Sequence, residues 1–393
     1  MSERLYYTDP YLPEFTARVT SIDPEALRVY LDRSAFYPTS GGQPHDIGTL
    51  GDARVIDAVD EDSQVAHVVE SVIGFTVGME LTGRIDWNRR FDLMQQHTGQ
   101  HLLSALCADD FGWPTTSVHF GDEYCTVDIA APQVNMHTVR EIERRANAAI
   151  TSNVAVSVSF EHAATATGLR KPSDRDGELR IVTIEGIDRS ACGGTHVRHT
   201  GEIGCMLLRR VEQSKGATRI EFVCGARAVR RASADAELLT RAARALSAAP
   251  GEVPGLVESQ LARITALERE RKRLAGELAR HDAQERWNAA PIDANGNRIV
   301  LITLEGKPVR DAEPIAQALT ALGHCVVIVR SDTPHGVMLA SAADSSVDAG
   351  AVLKPALAAF GGRGGGSPRI AQGSIPSADA VQSVINFLFS SLE

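Results

Sequence analysis

The chain has 393 residues, 43% of them hydrophobic and 23% charged, which excludes wholesale disorder, a collagen-like fibre and a disulfide-dense mini-protein. At roughly 100–200 residues per domain it accommodates about two to four domains. The net charge of −10 makes any nucleic-acid contact a matter of a local basic face. MSERLYYTDPYLPEF holds no apolar signal-peptide core, and no apolar run reaches the roughly 18 residues of a membrane span, so a cytoplasmic protein without membrane contact is expected. Cys107, Cys125, Cys192, Cys205, Cys224 and Cys325 show no framework spacing and are expected as thiols, some buried and some ligating metal.

Residues 1–90 read as β structure. Short alternating runs (ALRVYL, ARVIDAV, QVAHVVE, ELTGRI) are punctuated by Gly, Pro and Asp, which predicts a small barrel or sandwich. The segment is acidic, with 15 Asp/Glu against 8 Lys/Arg. Residues 91–110 predict a helix, with Leu93, Met94, Leu102, Leu103 and Leu106 at helical spacing and FGWP as the breaker. EYCTVDIA reads as a strand. NMHTVREIERRANAAITSN reads as an amphipathic helix presenting Val139, Ile142, Ala146 and Ile150 on one face, and AVSVSF as a further strand. Strands beside helices without regular alternation point to an α+β core over 91–227.

Residues 228–287 are rich in Ala, Glu, Arg and Leu. Val257, Ile264 and Leu278 fall at heptad a, and Leu267 and Leu274 at d, while Arg271, Gln260 and His281 interrupt the series. A coiled coil or a helical hairpin is expected there. Residues 288–393 read as an α/β domain: the strand RIVLITLEG, a helix, two strands, a helix, GGRGGGSPRIAQGS, and the helix ADAVQSVINFLFSSL. The chain as a whole is thus expected to be α+β and multidomain.

His97 and His101 stand four apart on the first predicted helix, which puts both imidazoles on one face, as a chelating pair requires. Cys192-Gly193-Gly194-Thr195-His196 flanks a glycine turn with a thiol and an imidazole. Either pair alone also fits ordinary residues: surface or core histidines, or a buried thiol beside a turn. Together they offer three imidazoles and one thiolate, a donor set suited to one tetrahedral Zn2+ per chain. Four protein ligands fit a structural site as well as a hydrolytic one. His119 and His199 are further candidates, His119 either as a solvated loop residue or as part of a pocket.

HTGQHLLSA followed by CGGTHVRHTGEIG resembles the editing domain of alanyl-tRNA synthetase and its free-standing AlaX-type relatives. FYPTSGGQPHDIG is similar to the glycine-rich signature that precedes the editing core in that family, and SKGATRIEFVCG to the segment that closes it. GGRGGGSPRIAQGS resembles the signature of the synthetase's carboxy-terminal, DHH-associated domain. The resemblance implies a β-barrel-like domain (1–90), a zinc-dependent editing core (91–227), a helical linker (228–287) and a DHH-associated-type domain (288–393). The chain starts almost at the barrel, so no aminoacylation is expected, and without Asp-His-His metal motifs no phosphodiester cleavage is expected.

The family hydrolyses the ester joining serine, or sometimes glycine, to alanine tRNA, because a pocket for alanine rejects such neighbours only weakly. The resemblance implies zinc ligands at His97, His101, Cys192 and His196, and a hydroxyl for the seryl group at Thr115, Thr116 or Ser117, after Trp113. His119 falls where the synthetase form often has Gln. Gly193 and Gly194 are expected to offer amides to the oxyanion. Gly41, Gly42 and Gln43 either meet the substrate or make a plain tight turn, the Gln43 amide bonding substrate or backbone.

For tRNA(Ala), the partner so implied, residues 206–231 supply Arg209, Arg210, Lys215, Arg219, Arg227, Arg230 and Arg231 against two carboxylates, a basic stretch suited to phosphates or merely solvated. Lys171, Arg175, Arg363 and Arg369 are weaker additions, the last two in a glycine-rich run that either cradles phosphate or acts as a linker. The helical segment spaces two RNA-contacting units or, with the carboxy-terminal domain, forms a homodimer. The competing readings are a non-catalytic tRNA-binding protein with structural zinc, and editing of a different tRNA.

Overall fold

A computed structural model describes residues 2–172, 176–214, 216–293 and 295–392. The chain divides into two compact units, Met1–Ala242 and Ala243–Glu393.

In the first unit, six strands, β1 (Glu14–Asp23), β2 (Arg28–Leu31), β3 (Gly48–Leu50), β4 (Ala53–Glu61), β5 (Gln64–Val69) and β6 (Glu80–Ile85), close into a barrel in the order β1-β2-β5-β4-β3-β6. Alternation fills it: Phe15, Ala17 and Val19 of β1 face inward with Val29, Leu31, Val55, Ala58, Val65 and Leu81. Helix α1 (Trp87–Phe111) follows at once. Asp86 caps it by accepting from Arg89 N, and left-handed Gly112 ends it before Pro114.

Strands β7 (Thr115–Phe120) and β8 (Cys125–Ile129) precede helix α2 (Met136–Thr151), on which Val139, Ile142, Ala146 and Ile150 are all buried. Strands β9 (Val156–His162), β10 (Glu178–Ile184) and β11 (Asp188–Ala191) form a small antiparallel sheet. The hairpin β12 (Met206–Ser214) and β13 (Ala217–Cys224) completes a four-stranded sheet in the order β12-β13-β8-β7. One face of that sheet, bearing Phe120, Cys125, Val127, Ile129, Ile220 and Phe222, packs in a common core with Met94, Leu102 and Leu103 of α1. Gly99, inside α1, is explained by this packing, because a methyl there would lie 2.4 Å from Cys224 Sγ. Helix α3 (Gly225–Ala245) then leaves the sheet.

In the second unit, α4 (Val253–Ala289) is one 37-residue helix, and its apolar residues Val257, Leu261, Ile264, Leu267, Leu274 and Leu278 are exposed. The rest is a five-stranded mixed sheet of β14 (Arg298–Leu304), β15 (Cys325–Asp332), β16 (His335–Ser341), β17 (Arg363–Gly366) and β18 (Ile370–Ser374), ordered β14-β15-β16-β18-β17. Helices α5 (Glu313–Thr320), α6 (Ala349–Ala359) and α7 (Ala378–Leu392) pack with it. The GGRGGG run is not a phosphate-cradling loop: Arg363–Gly366 is an edge strand paired with β18. Its glycines serve that pairing, since methyls at Gly364 and Gly366 would lie 2.2 Å from Gln372 O and Ile370 O. Among the described residues no helix is long and apolar enough to cross a membrane.

Candidate metal centre

Helix α1 and the loop after β11 meet at His97, His101, Cys192 and His196. One ligand atom from each lies within 4.8 Å of all the others. His97, His101 and His196 are buried and Cys192 is half-buried. Gly194 is required for this approach: a methyl there would stand 2.1 Å from His97 Cε1 and 2.4 Å from Nδ1.

The hydrogen bonds fix which imidazole nitrogen faces inward. Gln43 Oε1 accepts from Thr195 N–H (3.1 Å), a group that can only donate. That orients the amide, so His97 Nδ1, 2.7 Å from the same oxygen, must be the donor. His101 Nδ1 donates to the Asp188 carboxylate at 2.8 Å. Thr98 Oγ1 spends its proton on Met94 O (2.8 Å) and accepts from Val197 N, so His196 Nδ1, 3.1 Å away, donates to it. All three Nε2 atoms therefore face the centre.

Cys192 Sγ lies 3.5 Å from His97 Nε2 and 3.4 Å from His196 Nε2. Metal–ligand bonds of about 2.0–2.1 Å to nitrogen and 2.3 Å to sulfur give a tetrahedral N–S edge of about 3.5 Å. The donor set and its spacing fit a divalent ion of the zinc type.

Without a metal the inward atoms share protons among themselves, and a bound ion would displace those protons. Burial alone would raise the Cys192 pKa, but its neighbours His97, His196 and His101 hold it well below its usual value. Burial likewise opposes charge on His101, yet the bonds to Asp188 and Cys192 raise it to about 9. Burial, with repulsion from His97, lowers His196 to about 3. Asp188 stays ionised despite burial because His101, Arg170 (2.6 Å) and Ser190 (3.0 Å) all donate to it. Arg180 is only 8% exposed. It donates to Cys192 O (2.8 Å), Gly194 O (2.9 Å) and Tyr7 O (3.1 Å), and its Nη2 has no partner among the described residues. Burial lowers its pKa from the usual arginine value.

The other expected residues separate. Thr115 is half-buried and its hydroxyl donates to Ser104 Oγ (2.7 Å), three positions beyond His101 on α1. Thr116 is exposed and bonded to Asp128 O. Ser117 and His119 are exposed and alternate with Val118 and Phe120, which face the core. His119 therefore lies on the sheet face away from the cluster, in a cleft of about 380 Å3 with Tyr124, Thr126, Arg210, Glu212, Arg219 and Glu221. The strand period, not visible while this stretch reads as a loop, decides it. Phe120 takes the inner place, 5.1 Å from the His97 ring. His199 is exposed, 3.6 Å from Glu202.

Gly41 and Gly42 have φ of 57° and 87° and form a tight turn in which Ser40 and Gln43 exchange backbone hydrogen bonds. Gln43 is fully buried, and both ends of its amide are bonded within the protein. The Gly194 amide donates to Cys192 Sγ (3.4 Å), whereas Gly193 N makes no hydrogen bond with the described residues.

The basic stretch is largely neutralised. Arg209 pairs with Asp235 and Glu221, Arg210 with Glu212, Arg219 with Asp128, Arg227 with Asp92 and Arg231 with Asp235. Three of those carboxylates, Asp92, Asp128 and Asp235, lie outside 206–231, so a count within the stretch missed them. Arg369 donates to the carbonyls of Ala342, Ala343 and Ser345. Arg363 and Lys171 are exposed, and Lys215 and Arg175 lie outside the described residues.

A family model described as "Threonyl and Alanyl tRNA synthetase second additional domain" matches residues 179–221, the stretch that carries Arg180, Asp188, Cys192 and His196. A "DHHA1 domain" model matches 299–393. A Pyrococcus horikoshii protein named "Alanyl-tRNA editing protein AlaX-L" is 29% identical over 95% of each chain. The chain is a relative of the AlaX-type alanyl-tRNA editing proteins. An alanine–tRNA ligase of Pyrococcus abyssi is 30% identical over 98% of this chain, which spans 43% of that enzyme. "Alanyl-tRNA editing protein Aarsd1" of Bos taurus is 33% identical over 56% of this chain and 54% of its own. A solved C-Ala domain of Aquifex aeolicus alanyl-tRNA synthetase covers 25% of this chain and 93% of its own at 17% identity, with a TM-score of 0.23.

Sequence inspection missed Asp188, Thr98 and Arg180. Thr98 lies inside HTGQH and Asp188 four residues before Cys192, so proximity to ligand pairs was the available signal.

Proposed function

We propose that this protein is a zinc-dependent aminoacyl-tRNA hydrolase that removes serine, and secondarily glycine, from mischarged tRNA(Ala). The observation that carries the proposal is the convergence of three inward-facing imidazole Nε2 atoms and the Cys192 sulfur in a relative of alanyl-tRNA editing proteins. A divalent ion held by His97, His101, Cys192 and His196 would supply Lewis acidity for ester hydrolysis.

The chain's own residues do the rest. Thr115, its proton committed to Ser104, accepts a hydrogen bond from the seryl hydroxyl, a contact alanine lacks. Gly193 N–H, without a partner among the described residues, donates to the oxyanion. Phe120 beside His97 walls the site from water. The barrel, the editing core, the helical segment 228–287 and residues 288–393 are proposed as the functional domains. The exposed apolar residues of α4 suit a homodimer, and Arg363 a tRNA contact.

The test is release of serine from seryl-tRNA(Ala), with alanyl-tRNA(Ala) as control, with and without a zinc chelator. Fast, chelator-sensitive loss of serine alone is expected. Retention of serine with tRNA still bound would refute hydrolysis and leave a binding protein.

A further inference from the structure

Gln43 belongs to the barrel, yet it touches both segments that carry the metal ligands. Its Oε1 faces His97 Nδ1 on α1 (2.7 Å) and accepts from Thr195 N (3.1 Å), and its Nε2 donates to Thr195 Oγ1 (2.8 Å) in the Cys192–His196 loop. The side chain is fully buried. A planar amide with both ends so engaged has a single orientation, and that orientation dictates the His97 tautomer.

The turn that delivers Gln43 is itself held. Gly41 and Gly42 adopt positive φ, and Tyr37 OH donates to Ser40 O at 3.0 Å. Three residues on, Asp46 accepts from Tyr37 N (2.6 Å) and from Arg90 Nε of α1 (3.0 Å), with Arg90 and Asp46 both wholly buried. Arg90 also donates to Pro10 O (2.7 Å) and Ala35 O (2.6 Å). A buried charge pair between the barrel loop and α1, with its remaining hydrogen-bonding capacity filled, fixes their separation where Gln43 meets His97.

We infer that Gln43 is a positioning residue for the metal centre: it holds His97 with Nδ1 protonated and Nε2 free, and it ties the Cys192–His196 loop to α1. The barrel is then part of the hydrolytic site. The inference rests on the metal-centred function proposed above.

The test uses the full-length protein loaded with Co2+, read by visible absorption and by Co2+ and Zn2+ affinity, with melting of the metal-free protein alongside. Gln43→Met keeps the length of the side chain and removes both polar ends. It should weaken metal binding about 10–100-fold, the range seen when a residue behind a ligating histidine is lost, and shift the cobalt ligand-field bands. Gln43→Glu keeps an acceptor for His97 Nδ1–H and Thr195 N–H, and should bind within a few-fold of the native protein with a native-like spectrum.

Native affinity and spectrum in Gln43→Met would overturn the inference. Equal losses in both variants would also overturn it, because the effect would then be one of packing and not of the acceptor. If Gln43→Met does not fold, Gln43→Asn, which withdraws the amide by one methylene, replaces it with the same expected loss. A native protein that takes up no cobalt refutes the metal reading itself, an outcome separate from a variant that merely binds like the native protein.

Discussion

Two adjacent glycines of the Cys192–His196 loop should behave oppositely on substitution by alanine. At Gly194 the added methyl would lie 2.1 Å from His97 Cε1, 2.4 Å from Nδ1 and 3.0 Å from Gln43 Oε1. Carbon contacts settle near 3.5 Å, so ring or loop must move by about 1.4 Å. That exceeds the displacement of about 1 Å that already costs about 10²-fold in a positioned site. Overpacking adds about 1–3 kcal/mol of destabilisation. At Gly193 the methyl would lie 3.7 Å from Tyr7 Oη, an ordinary contact, and Gly193 is not among the positive-φ glycines. Gly194→Ala should therefore lose at least 100-fold in deacylation and melt a few degrees lower, with metal content by elemental analysis falling in parallel. Gly193→Ala should stay within a few-fold of native in each measurement. Equal behaviour of the two, or full metal content and activity in Gly194→Ala, would refute the packing argument.

Cys192→Ala should abolish deacylation while leaving tRNA affinity in a filter-binding assay unchanged. Arg90→Ala strands the Asp46 carboxylate, which has no exposure, and should cost about 3–5 kcal/mol in a denaturant titration. His67 is buried neutral, donating Nδ1–H to Val29 O and accepting from Ser34 Oγ, and burial lowers its pKa from 6.5 to about 4. The unfolded chain takes up this proton first as pH falls, so stability should decline from about pH 6.5 to about pH 4. The total is about 3 kcal/mol, a slope missing from His67→Gln.

Local pattern made the metal ligands and the main helices legible. Four-residue spacing put His97 and His101 on one face of α1, and period 3.6 placed Val139, Ile142, Ala146 and Ile150 inward on α2. What stayed hidden depends on partners distant in the chain. Gln43 reads equally as a substrate contact or as part of a tight turn until the barrel carries it to His97, 54 residues away, and Asp188 becomes visible only when it meets His101, 87 residues away. The arginines of 206–231 read as a basic patch because Asp92, Asp128 and Asp235 belong to other segments. The Gly364 and Gly366 backbone reads as flexible because nothing local reports the strand opposite.

The three imidazoles are not equivalent, because the acceptors behind them differ: an amide oxygen for His97, a hydroxyl for His196 and a carboxylate for His101. Asp188 is the most constrained of the three. It accepts from His101 Nδ1, Arg170 Nε and Ser190 Oγ, and donates nothing. Asparagine in its place has one accepting and one donating end. With its oxygen toward His101, its amino group meets the Arg170 and Ser190 donors. Reversed, the amino group faces His101 Nδ1 and forces the proton to Nε2, the nitrogen needed inside. Neither orientation satisfies all three neighbours, so Asp188→Asn should weaken Zn2+ binding about 10–100-fold, although it is nearly the same size. The melting temperature of the metal-free protein should fall as well, because a buried donor is left unpaired at a cost of about 1–3 kcal/mol. Native zinc affinity in this variant would show that the carboxylate neither selects the tautomer nor charges the ligand, and would leave His101 oriented by packing alone.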